Sequence, residues 1–142
     1  MSSRAGDILT DLRDTLRRTG AFAAVTIGPD GDASRWPRAE ILLVGLTEMP
    51  SDDLPGARWA ALKVKVCIRV RSSPQEAVAR GLELAAAAQE ALLEDRFRSQ
   101  LCRDLPVGLA TELGAVKVAA KVKPAGAGLS FGVVCHFEEV ID

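Results

Sequence analysis

The chain has 142 residues, of which 26% are charged and 48% are hydrophobic, and its formal net charge is -1. This length fits one domain over residues 1–142, and the composition is ordinary for a globular protein with a single core. The near-neutral charge excludes a chain-wide attraction to nucleic acid or to acidic membranes, so any electrostatic function must come from a local arrangement of charges.

The first residues, MSSRAGDIL, contain no apolar run long enough for a signal peptide. No later segment reaches the roughly 20 apolar residues that cross a bilayer. The three cysteines are widely spaced and form no CxxC pair, which argues against a disulfide framework and against a zinc site. We therefore expect a protein that is made in a cytoplasm and has no membrane partner.

An amphipathic helix is predicted over residues 7–20. Acids stand early and arginines late in this segment, which suits the partial charges at the two ends of a helix, and Gly20 ends the pattern. The apolar positions at helical spacing are Ile8, Leu9, Leu12 and Leu16.

Two strands are predicted after this helix. The first covers residues 22–27 and ends at the turn-forming cluster GPDGD. The second, AEILLVGL at residues 39–46, is a near-continuous apolar run, which is typical of a strand that is covered on both faces. We expect this strand in the middle of a sheet or at a subunit contact.

The third strand, within LKVKVCIRVRSSPQE at residues 62–76, has two different faces. Alternate positions from Leu62 to Val70 are aliphatic, which predicts a buried face. The intervening positions are Lys63, Lys65, Cys67, Arg69 and Arg71. The strand is expected to stop at about Ser72, where the start signal of a helix follows.

A long helix is predicted over residues 73–93. Ser73 can cap it, Pro74 suits its first turn, and Glu76 completes a capping box. The stripe expected to pack against the sheet consists of Val78, Leu82, Ala85, Ala88 and Leu92. The far side is a predominantly acidic stripe of Glu76, Arg80, Glu83, Glu90 and Glu94.

Residues 95–110 are predicted to form an irregular connection, and two further strands complete the chain. The first covers residues 116–123 and places Lys117, Lys121 and Lys123 on one side. The second is GLSFGVVCHFEEVI at residues 128–141. The order α-β-β-β-α-β-β favours an α+β fold, with a mostly antiparallel five-stranded sheet and two helices packed on one face.

Two strands therefore share a basic face, and three interpretations of this face are open. Lysines at alternate positions lie roughly 7 Å apart, where each like-charged pair costs only about 0.6 kcal/mol in water, so a solvated face balanced by His136 and Glu138 is tolerable. Nucleic acid is a second interpretation, although no aromatic residue interleaves with the lysines. In the third, the acidic helix of a neighbouring copy contacts the basic face, and such head-to-tail contacts close into rings. The basic residues are Lys63, Lys65, Arg69, Arg71, Lys117, Lys121 and Lys123.

The sequence contains no pattern that predicts catalysis, a metal site or a cofactor site. His136 is the only histidine, and Cys135 beside it points to the opposite face of the same strand. The segment GPDGDAS lacks the lysine of a phosphate loop, and the loop acids lack the spacing of a calcium-binding EF-hand. Trp36 and Trp59 flank loops, where each either anchors a loop base or contacts a partner.

The order of elements resembles that of the tail terminator and minor tail proteins of tailed bacteriophages. The resemblance rests on an N-terminal helix of the form DILTDLRDTLRRTGAF, three strands, an alanine-rich helix and a final strand GLSFGVVCHFEEVI. It implies a virion protein, assembled in the host cytoplasm, that is not an enzyme. Such proteins form hexameric rings that terminate the tail tube and join it to the head connector, so the implied partners are further copies of the chain, the tube protein and the connector protein.

The loops at residues 28–38 and 47–58 are shorter than this family leads one to expect. The alternative function is another phage neck protein or a DNA-associated protein that binds through the basic face, and an enzyme of unrecognised type comes third.

Overall fold

Two helices and six strands make up the part of the chain that the computed structural model describes, namely residues 3–29, 35–50, 57–103, 110–119 and 126–140. In chain order they are α1 (Arg4–Arg18), β1 (Ala24–Ile27), β2 (Arg38–Pro50), β3 (Ala57–Val70), α2 (Pro74–Glu94), β4 (Thr111–Leu113), β5 (Lys117–Ala119) and β6 (Ala127–Val140). The α+β class and the element order are as predicted, whereas the sheet has six strands rather than five. The additional strand is β4.

The strands form one mostly antiparallel sheet in the order β1-β2-β3-β6-β4, and β5 also pairs with β6. Only β1 and β2 are parallel among the described pairs. β2 and β3 form a long antiparallel pair with an irregularity between Leu43 and Gly45, and β3 pairs with β6 along its whole length. The two long strands β3 and β6 therefore lie at the centre of the sheet.

Both helices pack on one face of this sheet, as predicted. The alternating aliphatic residues of β3, from Leu62 to Val70, belong to one buried cluster that also contains Ile8 of α1 and Leu84 of α2. The contact between α2 and β6 is close, since a Cβ atom at Gly81 would lie 2.1 Å from Leu129 Cδ1. We call this side of the sheet the helix face and the opposite side the outer face.

The buried side of α2 differs from the predicted stripe at one position. Ala85, Ala88 and Leu92 are buried as expected, and Ala77 and Leu84 join them, but Leu82 is 46% exposed. The helix is therefore rotated so that Leu82 lies beside the acidic residues. Because α2 is rich in apolar residues on most of its sides, periodicity alone did not fix this rotation.

The connection after α2 is a turn with three residues in the left-handed region, Arg98, Ser99 and Gln100. Arg98 is fully buried, and its Nη1 lies 3.2 Å from Asp11 Oδ2 of α1. Its guanidinium also donates to the backbone oxygens of Leu92 and Asp95. These carbonyls belong to the C-terminal end of α2, which leaves backbone acceptors without helical partners. Arg98 thus donates hydrogen bonds to the carbonyls at the end of α2 and links that end to α1 through its ion pair with Asp11.

Candidate functional site

The basic residues of β3 stand on the outer face above a row of small residues in β6. Lys65 lies opposite Gly132, Cys67 opposite Ser130 and Arg69 opposite Gly128. Lys63 and Lys65 are exposed, as the alternation in the sequence predicts. Because glycine and serine do not fill the space beside long cationic side chains, the outer face is concave along β6.

The concavity consists of two adjoining cavities of about 340 and 210 Å³ that share Lys65, Lys117 and Ser130 in their walls. Among the described residues that line them there is no carboxylate. We call this feature the basic trough and define it by its four cations and its three floor residues. These residues are Lys63, Lys65, Arg69, Lys117, Gly128, Ser130 and Gly132.

One cation of the basic trough has an internal partner. Arg69 Nε lies 2.6 Å from Glu40 Oε1, and the Glu40 side chain is only 4% exposed. Next to this ion pair, the Arg38 guanidinium stacks over the Trp36 ring, 4.4 Å from its centroid. Trp36 is half-buried and contacts its own chain here, which agrees with an anchoring function and leaves a partner contact untested.

The remaining predicted cations are placed less centrally. Arg71 is exposed just beyond the end of β3. Lys121 and Lys123 lie outside the described residues. In β5, Val118 lies opposite Leu129 of the helix face and Lys117 opposite Ser130 of the outer face, so the two residues are on different sides as predicted, although Val118 is 46% exposed.

The acidic residues of α2 lie on its solvent side, as predicted. Glu76, Glu83, Glu90 and Glu94 are all exposed, and Arg80 approaches Glu83 at 3.9 Å. Beside them, Leu82 and Leu93 are 46% and 51% exposed. We call these four glutamates and two leucines the acidic ridge. Since α2 packs on the helix face, the ridge and the basic trough lie on opposite sides of the molecule and do not meet within one chain.

The second half of β2 exposes apolar side chains, so the described part of this chain does not itself cover the strand there. Leu43, Val44 and Leu46 are 62%, 65% and 49% exposed. β1 pairs with β2 only as far as Ile41, and beyond it no described strand pairs with that edge. The expectation of a subunit contact at this strand remains.

His136 and Glu138, which one interpretation of the sequence set against the charge of the basic face, have other partners in the structure. His136 is largely buried and its Nε2 lies 3.1 Å from Glu112 Oε2, while Glu138 lies 3.9 Å from Arg103. The carboxylates of Glu112 and Glu138 therefore pair with His136 and Arg103 and not with the lysines. The β4 strand, which was not predicted, supplies Glu112.

The three cysteines occupy two environments. Cys102 and Cys135 are buried, and the pKa of the Cys102 thiol is raised because it is hydrogen bonded to Cys135 and removed from water. Cys67 is half-buried in the wall of the basic trough, where burial raises its pKa and the nearby Lys65 and Arg69 partly oppose that change. Cys67 is therefore the thiol that a partner in the trough would cover.

The described residues lack two further kinds of feature. They contain no group of three or more histidine, cysteine, aspartate or glutamate side chains that could hold a metal ion. No helix in the described ranges is long and apolar enough to cross a membrane.

Sequence reasoning found the cations and the acids but missed two features that shape the site. One is the small-residue floor, although its signal is present in GLSFG at residues 128–132, where small residues alternate with large apolar ones. The other is the exposure of Leu43, Val44 and Leu46, because an apolar run does not tell which molecule covers it.

Comparison with models of known protein families gives no match, and comparison with curated protein sequences gives none either.

Proposed function

We propose that the protein is a structural subunit that assembles into a ring, most simply the homohexameric ring that terminates a phage tail tube and joins it to the head connector. The observation that carries this proposal is the uncovered apolar edge of β2. Leu43, Val44 and Leu46 are each about half exposed or more, on a stretch where β3 pairs with one edge of β2 and no described strand pairs with the other. Contiguous exposed apolar residues mark interaction sites, and an unpaired strand edge is a template for pairing with another chain.

Two further features support an assembly function. The basic trough and the acidic ridge carry opposite charges on opposite sides of one subunit, an arrangement that suits repeated contacts between neighbours. The resemblance in element order to tail terminator proteins supplies the particular kind of assembly. On this proposal, the partners are further copies of the chain, the tail tube protein and the connector protein, and the protein acts in the virion.

The test is electron microscopy of the purified protein in negative stain, alone at high concentration and mixed with tail tube protein. We expect rings of uniform diameter, and tubes whose length stops increasing when the protein is added. A sample that stays monomeric under both conditions contradicts the proposal.

A DNA-associated neck protein is the alternative function, and the observation that favours it is the basic trough itself. A protein that binds DNA through these lysines shows an affinity that falls steeply with salt, because phosphate contacts release counterions. Filter binding of duplex DNA at two salt concentrations separates this alternative from ring assembly.

A further inference from the structure

The two charged surfaces of this chain match each other in charge. The basic trough presents Lys63, Lys65 and Lys117 to solvent in addition to the paired Arg69. The acidic ridge presents four exposed glutamates, and one of them has a cationic neighbour, Arg80, at 3.9 Å. We propose that the acidic ridge of α2 from a second copy occupies the basic trough. This inference rests on the proposed function, since it names the surfaces that join neighbours in the ring.

The match extends to apolar residues. Leu82 and Leu93 of the ridge are about half exposed, and Val44, which lines the trough, is 65% exposed. A surface evolved only for solvation does not need such side chains, whereas contact cores combine apolar residues with surrounding charges. The same contact would therefore cover apolar residues on both surfaces.

The spacing of the strands beneath the trough is comparable with the diameter of a helix. β3 and β5 both pair with β6, so their backbones lie two strand spacings apart, or about 10 Å. A helix with its side chains is also about 10 Å across. Over the floor of Gly128, Ser130 and Gly132, a helix can approach the sheet closely while the flanking lysines reach its glutamates. The helix α2 of a neighbouring copy then covers the outer face in the way that the chain's own α2 covers the helix face.

The position of the two surfaces determines how copies are joined. The ridge lies on the solvent side of α2, behind the sheet, and the trough lies on the outer face of the same sheet. A ridge-to-trough contact is therefore heterologous, and it generates a ring when the rotation between neighbours closes.

The lining of the trough favours an acidic protein surface over single-stranded nucleic acid. Among the described lining residues the one aromatic side chain is Phe131, which is 2% exposed on the helix face. Without an exposed ring, the trough lacks the stacking platform that proteins use to bind unpaired bases. Glutamates on a helix need only the cations that the trough supplies.

The test exchanges the charges of the two surfaces. A trough variant carries Lys63→Glu and Lys65→Glu, and a ridge variant carries Glu83→Lys and Glu90→Lys. Arg13→Glu, on α1 and part of neither surface, is the charge-reversal control. In sedimentation velocity we expect each double variant alone to lose at least tenfold in association affinity. An equimolar mixture of the two should associate again, because every trough then meets a ridge of opposite charge.

A second variant tests the shape without changing a charge. A Cβ atom at Gly132 meets no other atom within 4 Å, so the leucine side chain of Gly132→Leu begins in open space and projects into the trough. We expect it to keep the melting temperature of the wild type and to lose at least tenfold in association.

The outcomes separate this inference from the proposed function. If the wild type forms rings and all of these variants form them equally well, the ridge-to-trough contact is wrong and ring assembly stands. If the wild type stays monomeric even with tube protein, both are wrong. If the trough variant instead loses salt-sensitive affinity for duplex DNA and the wild type shows no self-association, the trough binds nucleic acid and the inference is overturned.

Discussion

The two faces of the β3–β6 pair are built from the same two strands and have opposite character. On the helix face, every β3 side chain from Leu62 to Val70 is 6% exposed or less. On the outer face, the intervening positions carry lysines above a floor of glycine and serine. The two faces therefore impose different requirements on one sequence. The helix face determines whether the chain folds, and the outer face determines what the folded chain contacts.

The largest expected effect comes from placing an outer-face residue on the helix face. Val66 is fully buried, so Val66→Lys would bury a charge without a partner and lower the free energy of unfolding by more than about 4 kcal/mol. The reciprocal change Lys65→Val, one position away, should alter it by less than about 0.5 kcal/mol. Urea unfolding of both variants measures the difference, and equal destabilisation would contradict the division between the faces.

The helix side also contains a buried charged residue, Arg98. Replacing it by methionine should lower the free energy of unfolding by about 3 kcal/mol, because Asp11 and the carbonyls at the end of α2 lose their donor. Thermal unfolding followed by circular dichroism measures the loss. Arg18→Met, at an exposed position of α1, is the control and should change stability little.

Two glycines, one just before β6 and one within it, allow the comparison to be tested by adding a single methyl group. A Cβ atom at Gly126 would lie 2.1 Å from the backbone oxygen of Val70, so Gly126→Ala should cost about 2 kcal/mol of stability. Gly132→Ala points into the open trough and should cost less than about 0.5 kcal/mol. Chemical unfolding of the pair tests this, and an unaffected Gly126→Ala variant would contradict the described approach of the two chain segments.

Chemical modification of Cys67 is expected to change stability least and to weaken association strongly. Because its pKa is raised, its rate of alkylation by iodoacetamide should still be increasing with pH above the ordinary thiol value of about 8.5. The adduct occupies the trough, so it should reduce association at least tenfold while the free energy of unfolding changes by less than about 0.5 kcal/mol. Cys67→Ser treated in the same way is the control, and unchanged association of the labelled wild type would place the contact elsewhere.

Much of the fold was predictable because several signals agreed at the same positions. The alternation in LKVKVCIRVR and the signal SSPQE predicted a two-faced strand followed by a helix. The structure places α2 within one residue of the predicted bounds, whereas β3 begins at Ala57, inside the predicted loop at 47–58. The apolar spacing of the first helix likewise identified Ile8, Leu12 and Leu16, all of which are buried.

The remainder depended on tertiary contacts that local patterns do not contain. β4 has only three residues, too few to show alternation, and it exists because Thr111 and its neighbours pair with β6. Leu82 was misassigned because apolar residues occur on most sides of α2. For Leu43 and Val44, hydrophobicity predicted that the strand is covered, but nothing in the sequence distinguishes cover by the same chain from cover by a partner.

The most direct test of the central claim is a cross-link between the acidic ridge and the basic trough. In a Cys67→Ser background, the chain would carry Ala86→Cys on the exposed side of α2 and Gly132→Cys in the floor of the trough. Under mild oxidation with diamide, we expect a ladder of disulfide-linked copies on a non-reducing gel, and only monomers and sparse dimers for either cysteine alone. Rings that assemble while the double-cysteine chain gives no ladder would contradict it.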